Sequence, residues 1–422
     1  MNKFPPIKGM HDNFSPKTDQ LRSLEAILIN SAEKLGYNEV RTPILENLNL
    51  FKKTIGSDSD IVEKEMFTFN TSKDDVIALR PEGTCATARF VANNDLNDQI
   101  NKFWYLGPFF RHERPQKGRY RQFHQFGVEL FGSKSMFYEA ELFLLINKIW
   151  KNLDLQVPTF EVNNIGTYRE REEYSIKLKD FFKKHLESFD ENTQKKMMSN
   201  PLRVLDSKDP KIKNIIDDIP IIENYLSSKT NDQFKIFLET LDTLGVKYKI
   251  NSHLVRGLDY YNDIVFEIKS RDDHTQNTIC AGGRYDGLMS IISNKEVPAI
   301  GFAIGIERLF NEINTSIFNK NKKSIYLISL DPEYESFSLE ILKVLYDFDG
   351  IFVINNSLGG SSNLKSQLKK AEKLDTNFCV IIGSDEFESR SVSFKNMNTR
   401  EQEKVTIDAL ANKLKDVFDE KS

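Results

Sequence analysis

The chain has 422 residues, enough for two or three domains at roughly 100–200 residues each, and its 39% hydrophobic and 28% charged content is ordinary for a globular protein. The formal net charge of −4 excludes an overall basic footprint, so any nucleic acid would have to meet local basic patches; no run of about 18 apolar residues suggests a membrane-spanning helix, and Met1 to Asn13 lack a secretory-signal pattern, so a cytoplasmic location is expected. Cys85, Cys280 and Cys379 lie far apart with no CxxC or Cys/His cluster, which argues against a disulfide framework or a structural zinc site.

Residues 17–35 carry apolar side chains at helical spacing, and Gly36 is placed to end that helix. YNEVRTPIL (37–45) reads as one strand interrupted by Pro43, which suits an edge or interface strand. A helix over 47–54 and a polar turn over 56–60 follow, then a strand pair (MFTFN and DVIALR) and a helix (TCATARFVAN). Residues 103–131 predict a long antiparallel hairpin: FWYLGPFF goes out, RHERPQKGRYRQ turns, and FHQFGVELF returns. A helix over 137–153 comes next. Between about 166 and 245 the chain becomes rich in charged, helix-favouring residues; because strand patterns resume at 247–268, this stretch is expected to be a helical insertion in a larger domain. CAGGRYDGL is a strand with a glycine turn, and AIGFAIGIERLF is a strand feeding a helix. A polar linker spans 311–323. From 324 strands (SIYLISL, IFVIN, FCVIIG, VSFKNM) alternate with helices at 333–346, 362–374 and 406–418, the pattern of a small α/β domain with a parallel or mixed sheet.

Side chains alternate faces along a strand, so Gln125, Gly127 and Glu129 share one face of the returning strand, while His124, Phe126, Val128 and Leu130 share the other. Arg111 and Glu113 also fall on a common face. This set can floor a polar ligand site or face solvent. Arg114, Lys117, Arg119 and Arg121 crowd the turn around Gly118, where they could meet phosphates or water. Arg256 sits beside Gly257, which permits close backbone approach. Tyr260 and Tyr261, if on a strand, point opposite ways, so only one could face a given ligand. The paired glycines before Arg284, Tyr285 and Asp286 mark a tight turn, and Gly301 and Gly305 allow close packing of a strand on the helix that carries Arg308.

Taken together, these segments resemble the class II aminoacyl-tRNA synthetases, and among them the histidyl-tRNA synthetase family. YNEVRTPILE is similar to motif 1, FRHERPQKGRYRQFHQFGVELFG to motif 2 and GFAIGIERL to motif 3; LVRGLDYYN and AGGRYDGL resemble the two signatures of the histidyl family, and ALRPEGT its amino-acid loop. The resemblance implies an α+β fold. An antiparallel-sheet catalytic domain (1–323) would carry the insertion (about 166–245), and an α/β anticodon-binding domain (324–422) would follow. It implies ATP-dependent activation of L-histidine and transfer to the 3′ end of tRNA(His). Arg111 would hold the α-phosphate and the substrate carboxylate, with Arg256 opposite it; Arg308 would clamp the γ-phosphate; Glu113 would help place ATP, partly through Mg²⁺, with no dedicated protein metal site. Glu82, Gly83, Thr84 and Gln125 would line the α-ammonium site, Glu129 and Tyr261 would take the two imidazole nitrogens, and Tyr260 and Tyr285 would complete the wall. Gln116, Lys117, Arg119 and Arg121 would reach the tRNA acceptor end, the insertion would clamp the acceptor arm, and motif 1 around Pro43 implies a homodimer. The alternatives are a catalytically silent paralogue that serves as a regulatory subunit of ATP phosphoribosyltransferase, and another class II synthetase. The presence of Arg111, Arg256 and Arg308, and of about a hundred residues after motif 3, argues against the first; LVRGLDYYN and GGRYD argue against the second.

Overall fold

A computed structural model of the chain describes residues 4–56, 59–72, 75–116, 118–207, 209–270, 278–318, 323–351, 353–356 and 363–418. The chain divides into two compact units, Met1–Phe318 and Asn319–Ser422.

In the first unit, α1 (Lys17–Glu33) buries Leu24, Leu28, Ser31 and Ala32, one stripe at helical spacing, and the chain turns away at Gly36 with φ +79°. The predicted strand 37–45 is instead two strands in two sheets, β1 (Asn38–Glu39) and β2 (Leu45–Asn47). Pro43 lies between them, where its missing N–H removes a ladder donor. Then come α2 (Leu48–Ile55), β3 (Thr68–Asn70), β4 (Val76–Leu79) and α3 (Thr84–Asn93). β2, β4 and β3 form a small antiparallel sheet. The hairpin follows as β5 (Asn101–Phe110) and β6 (Gln122–Phe131), paired in register from Asn101 opposite Phe131 to Phe110 opposite Gln122. After α4 (Met136–Asn152) comes β7 (Phe160–Asn164), a strand just ahead of the insertion that the sequence pattern did not reveal.

The insertion comprises α5 (Tyr168–Lys183), α6 (Glu191–Ser199), α7 (Pro201–Val204), α8 (Pro210–Lys213) and α9 (Ser228–Thr243). Its first helix starts cleanly because Thr167 and Glu170 form a capping box, and it packs inward through Tyr174, Leu178 and Phe182. The chain then returns as β8 (Tyr248–Ile250), parallel to β7, so the insertion leaves and rejoins one edge of the same sheet. The rest of the unit is β9 (Asn262–Lys269), β10 (Thr278–Arg284), α10 (Leu288–Ser293), β11 (Ala299–Gly305) and α11 (Ile306–Glu312).

Eight strands form the main sheet in the order β1-β5-β6-β11-β10-β9-β7-β8, antiparallel except for the pairs at its two edges. One face is packed by α1, α4 and α9 over Trp104, Phe126, Val128, Leu130 and Phe266. Phe143 of α4 is central, with ring centroids 4.5, 5.4 and 4.6 Å from Phe160, Phe237 and Phe266. With that face sealed, the polar side chains of β6 are left on the other.

The second unit contains β12 (Ser324–Ser329), α12 (Glu335–Tyr346), β13 (Val353–Asn356), α13 (Leu364–Lys373), β14 (Phe378–Ile382), α14 (Ser384–Glu388), β15 (Ser391–Asn396), β16 (Gln402–Thr406) and α15 (Ile407–Phe418). Its sheet runs β13-β12-β14-β15-β16; the first three strands are parallel and the last two pairings antiparallel, which makes it mixed. All of β12 is buried, as expected of a strand with apolar layers on both faces.

Candidate active site

The open face of the main sheet floors a cleft of about 1090 Å³. Glu82, Thr84, Arg111, Glu113, Arg119, Gln125, Arg256, Tyr260, Tyr261 and Arg308 all line it, although they come from segments up to 226 residues apart (82 to 308). Gly83, Gln116, Arg121, Glu129 and Tyr285 are near these residues but not on the cleft wall, and Lys117 is outside the described residues.

One end is cationic. Arg111, just past the end of β5, is anchored by its Nε, which donates to the Pro81 carbonyl at 3.0 Å, and its guanidinium lies 5.4 Å from the Phe123 ring centre. Its Nη1 is 3.9 Å from Glu113 Oε1, and Glu113 also forms an ion pair with Arg119. Arg308, in the first turn of α11, donates to the carbonyls of Gly118 (3.0 Å) and Thr278 (2.7 Å), which tie it to the basic turn and to β10. Arg256 donates to Glu267 Oε2 at 3.0 Å. Burial lowers the Arg308 guanidinium to about 10, and the positive charges of Arg111, Arg119 and Arg256 push the same way against Glu307. Glu113 pairs with Arg111 and Arg119 and Glu267 with Arg256, while Arg308 is tied to two carbonyl groups among the other three cations, an arrangement that can take up an anion.

The other end is acidic and aromatic. Glu82 caps the start of α3: its carboxylate accepts the N–H groups of Thr84 (2.7 Å) and Cys85 (2.8 Å) and lies 3.4 Å from the Tyr260 hydroxyl. Glu129 is only 1% exposed and sits behind the floor. Its Oε1 accepts from Thr84 Oγ1 at 2.6 Å and Tyr105 OH at 3.2 Å, and its Oε2 accepts from Tyr285 OH. Burial raises its carboxyl to about 8, against the lowering effect of those hydrogen bonds. The rings of Tyr260, Tyr261 and Tyr285 stack edge to face or tilted at 4.7 to 6.2 Å.

The structure corrects one expectation. Tyr260 and Tyr261 are not on a strand; they occupy the turn before β9, so strand alternation does not separate them, and both line the cleft. Three features were missed. Tyr105 pairs directly with Gly127, and a Cβ on Gly127 would overlap its ring, so the space that a side chain at 127 would take is filled by Tyr105. Counting back from the hairpin turn could have found this pairing. Arg119 points into the cleft although its neighbours Gln116 and Arg121 do not. Glu65 and Glu267 place further carboxylates on the wall, and nothing in their local sequence marks them.

A family model for histidyl-tRNA synthetase matches residues 9–309, and one for an anticodon binding domain matches 325–417. The chain belongs to the histidyl-tRNA synthetase family. It is 42% identical over 419 residues, 96% of each chain, to a histidine–tRNA ligase of Legionella pneumophila (strain Lens). Apo histidyl-tRNA synthetase of S. aureus superposes with a TM-score of 0.80 at 29% identity, covering 98% of this chain and 100% of the other. A histidyl-tRNA synthetase from Nostoc sp. PCC 7120 shares the fold, with a TM-score of 0.67 at 20% identity over 98% and 99%.

Proposed function

We propose that this chain is a histidine–tRNA ligase, and that its cleft first forms histidyl-adenylate and then transfers histidine to tRNA(His). The observation that carries this is the convergence of Arg111, Arg119, Arg256 and Arg308 at one end of a cleft whose other end is lined by Glu82, Tyr260 and Tyr261, with Glu129 and Tyr285 directly behind them. The histidine carboxylate attacks the α-phosphorus of ATP, the α–β bridge breaks, and pyrophosphate leaves with the electron pair. Negative charge grows on the phosphate oxygens, and guanidinium groups already in place stabilise it more than reorganising water would. Arg111 and Arg256 would hold the α-phosphate and the carboxylate, and Arg308 the γ-phosphate. Its place in the cleft, beside Glu113, favours the phosphates over tRNA as the partner of Arg119. Mg²⁺ carried by the nucleotide would neutralise phosphate charge, and Glu113, which lines the cleft among the arginines, would meet it as the family resemblance implies.

At the acidic end, Glu82, Thr84 and Gln125 would take the α-ammonium group; Gln125 Oε1 is buried without a hydrogen-bond partner. Glu129 and Tyr261 would read the imidazole nitrogens. A ligand lacking either nitrogen would forgo one of these two contacts, which can cost several orders of magnitude in selectivity. The second unit would engage the anticodon. Ile44 and Leu45, 43% and 46% exposed beside Pro43, support a homodimer through this region. Among the described residues no helix is long and apolar enough to cross a membrane, and a cytoplasmic location is part of the same proposal.

The test is amino-acid-dependent exchange of pyrophosphate into ATP with all twenty amino acids. Exchange with histidine alone is expected. Exchange with another amino acid would move the assignment within class II, and none at all would favour the regulatory paralogue.

A further inference from the structure

The segment 255–261, which carries Arg256, Tyr260 and Tyr261, has open space on both sides. On one side is the cleft already described. On the other is a second cavity of about 1210 Å³, lined by the same three residues and by α5, α7 and α10. Val255, Tyr260 and Tyr261 pack into the core of this unit, and the turn between them is also held by polar ties. Two of these ties come from the helical insertion. Arg171 of α5 donates through Nη1 to the Tyr261 carbonyl. Arg203 of α7 donates to Asp259 Oδ1 through Nε (3.2 Å) and Nη2 (2.8 Å). The charge of Asp259 also acts on Arg171, so both arginines address the same short turn. Both guanidinium groups are largely shielded, and the Arg203 side chain is 16% exposed.

We infer that Arg171 and Arg203 are positioning residues that set the shape of the histidine pocket from the helical insertion. The inference rests on the proposed assignment of Tyr261 and Arg256 to the histidine subsite. On this reading the insertion is more than an appendage of the catalytic sheet: displacing α5 or α7 would drag the turn that holds the amino acid. The effect should fall mainly on histidine, because Arg111 and Arg308 at the ATP end are anchored separately through Pro81, Gly118 and Thr278, and of the phosphate-facing arginines only Arg256 rides on this segment.

The experiment is pyrophosphate exchange by the full chain without tRNA, with KM for histidine and for ATP measured separately. The variants are Arg171→Gln, Arg203→Gln, Arg203→Lys, Asp259→Asn and the Arg203→Gln/Asp259→Asn pair. Arg169→Ala, on the exposed side of α5, is the control. We expect the glutamine and asparagine variants to raise KM for histidine on the order of tenfold, with a clearly smaller rise in KM for ATP, since small misplacements of a binding group carry large penalties. The pair should be no worse than its weaker member, because both changes break one contact. Arg203→Lys should recover part of the loss. Unchanged KM for histidine, equal losses for both substrates, or an additive double variant would overturn the inference. If Arg203→Gln does not fold, Asp259→Asn breaks the same contact from the other side. A parent chain that exchanges with histidine while the variants match it would sink the inference and leave the function standing; a parent without exchange would sink both.

Discussion

Glu129 keeps its proton unusually well. Its ordinary value of 4.5 is raised to about 8 by burial, and the hydroxyls of Thr84, Tyr105 and Tyr285 offset only part of the cost of charging it. A carboxyl with a higher value in the folded state binds its proton more tightly there than in the unfolded chain. Its contribution to stability is therefore fully present below about 4.5 and is lost as pH rises towards about 8. Glu129→Gln removes the ionisation. Its melting temperature should exceed that of the parent by a margin that widens between about pH 5 and 8 and then levels off. Thermal melts across that range check this, and a constant margin would show that the carboxyl is not the source. The same variant should lose histidine far more than ATP in exchange kinetics, a stability gain bought with function. Gly127→Ala is the complementary change. Its methyl group would overlap the Tyr105 ring, so it should raise KM for histidine on the order of a hundredfold. Little change would mean that Tyr105 has somewhere else to go.

Some elements were legible in the sequence and others were not, for identifiable reasons. The helix α1 announced itself because one face is buried and the other is not, which writes a period into the residues, and the hairpin β5–β6 because two aromatic-rich strand segments flank a basic turn. The segment 37–45 misled because both of its halves look like strand, and only the three-dimensional path shows that they pair with different partners, β1 with β5 and β2 with β4. β7 was lost because a five-residue strand beside a long helical stretch carries too little periodicity to stand out. Within the site, the residues of the motifs were readable as candidates through the resemblance, and many of them line the cleft. Glu267, Arg171 and Arg203 were not, because a buried ion pair looks like a solvated charge until its partner is known. At this scale the exposed Ile44 and Leu45 lead to a further expectation: Leu45→Lys should convert a dimer into a monomer in light scattering, with the far-ultraviolet spectrum unchanged. A parent that is already monomeric would remove motif 1 as an interface.

The two units have separate cores, one built on Phe143 and its neighbours in the first, the other on Ile325, Leu327, Ile341 and Val380 in the second. Calorimetry should therefore show two unfolding transitions, and ATP with histidine should raise only the one belonging to the first unit. A single transition shifted as a whole would mean that the units unfold together. A chain cut back to the first unit is expected to retain exchange while losing most tRNA charging, which would separate the chemistry of activation from the selection of nucleic acid.

The four clustered arginines do not distinguish an anion that is arriving from one that is leaving. A cleft that relieves its own charge repulsion by taking up the triphosphate end of a substrate must also hold the pyrophosphate it releases. In the cell, the direction of the first reaction would then depend on other enzymes that hydrolyse pyrophosphate. Any soluble polyphosphate would act as a brake, and one that high salt loosens.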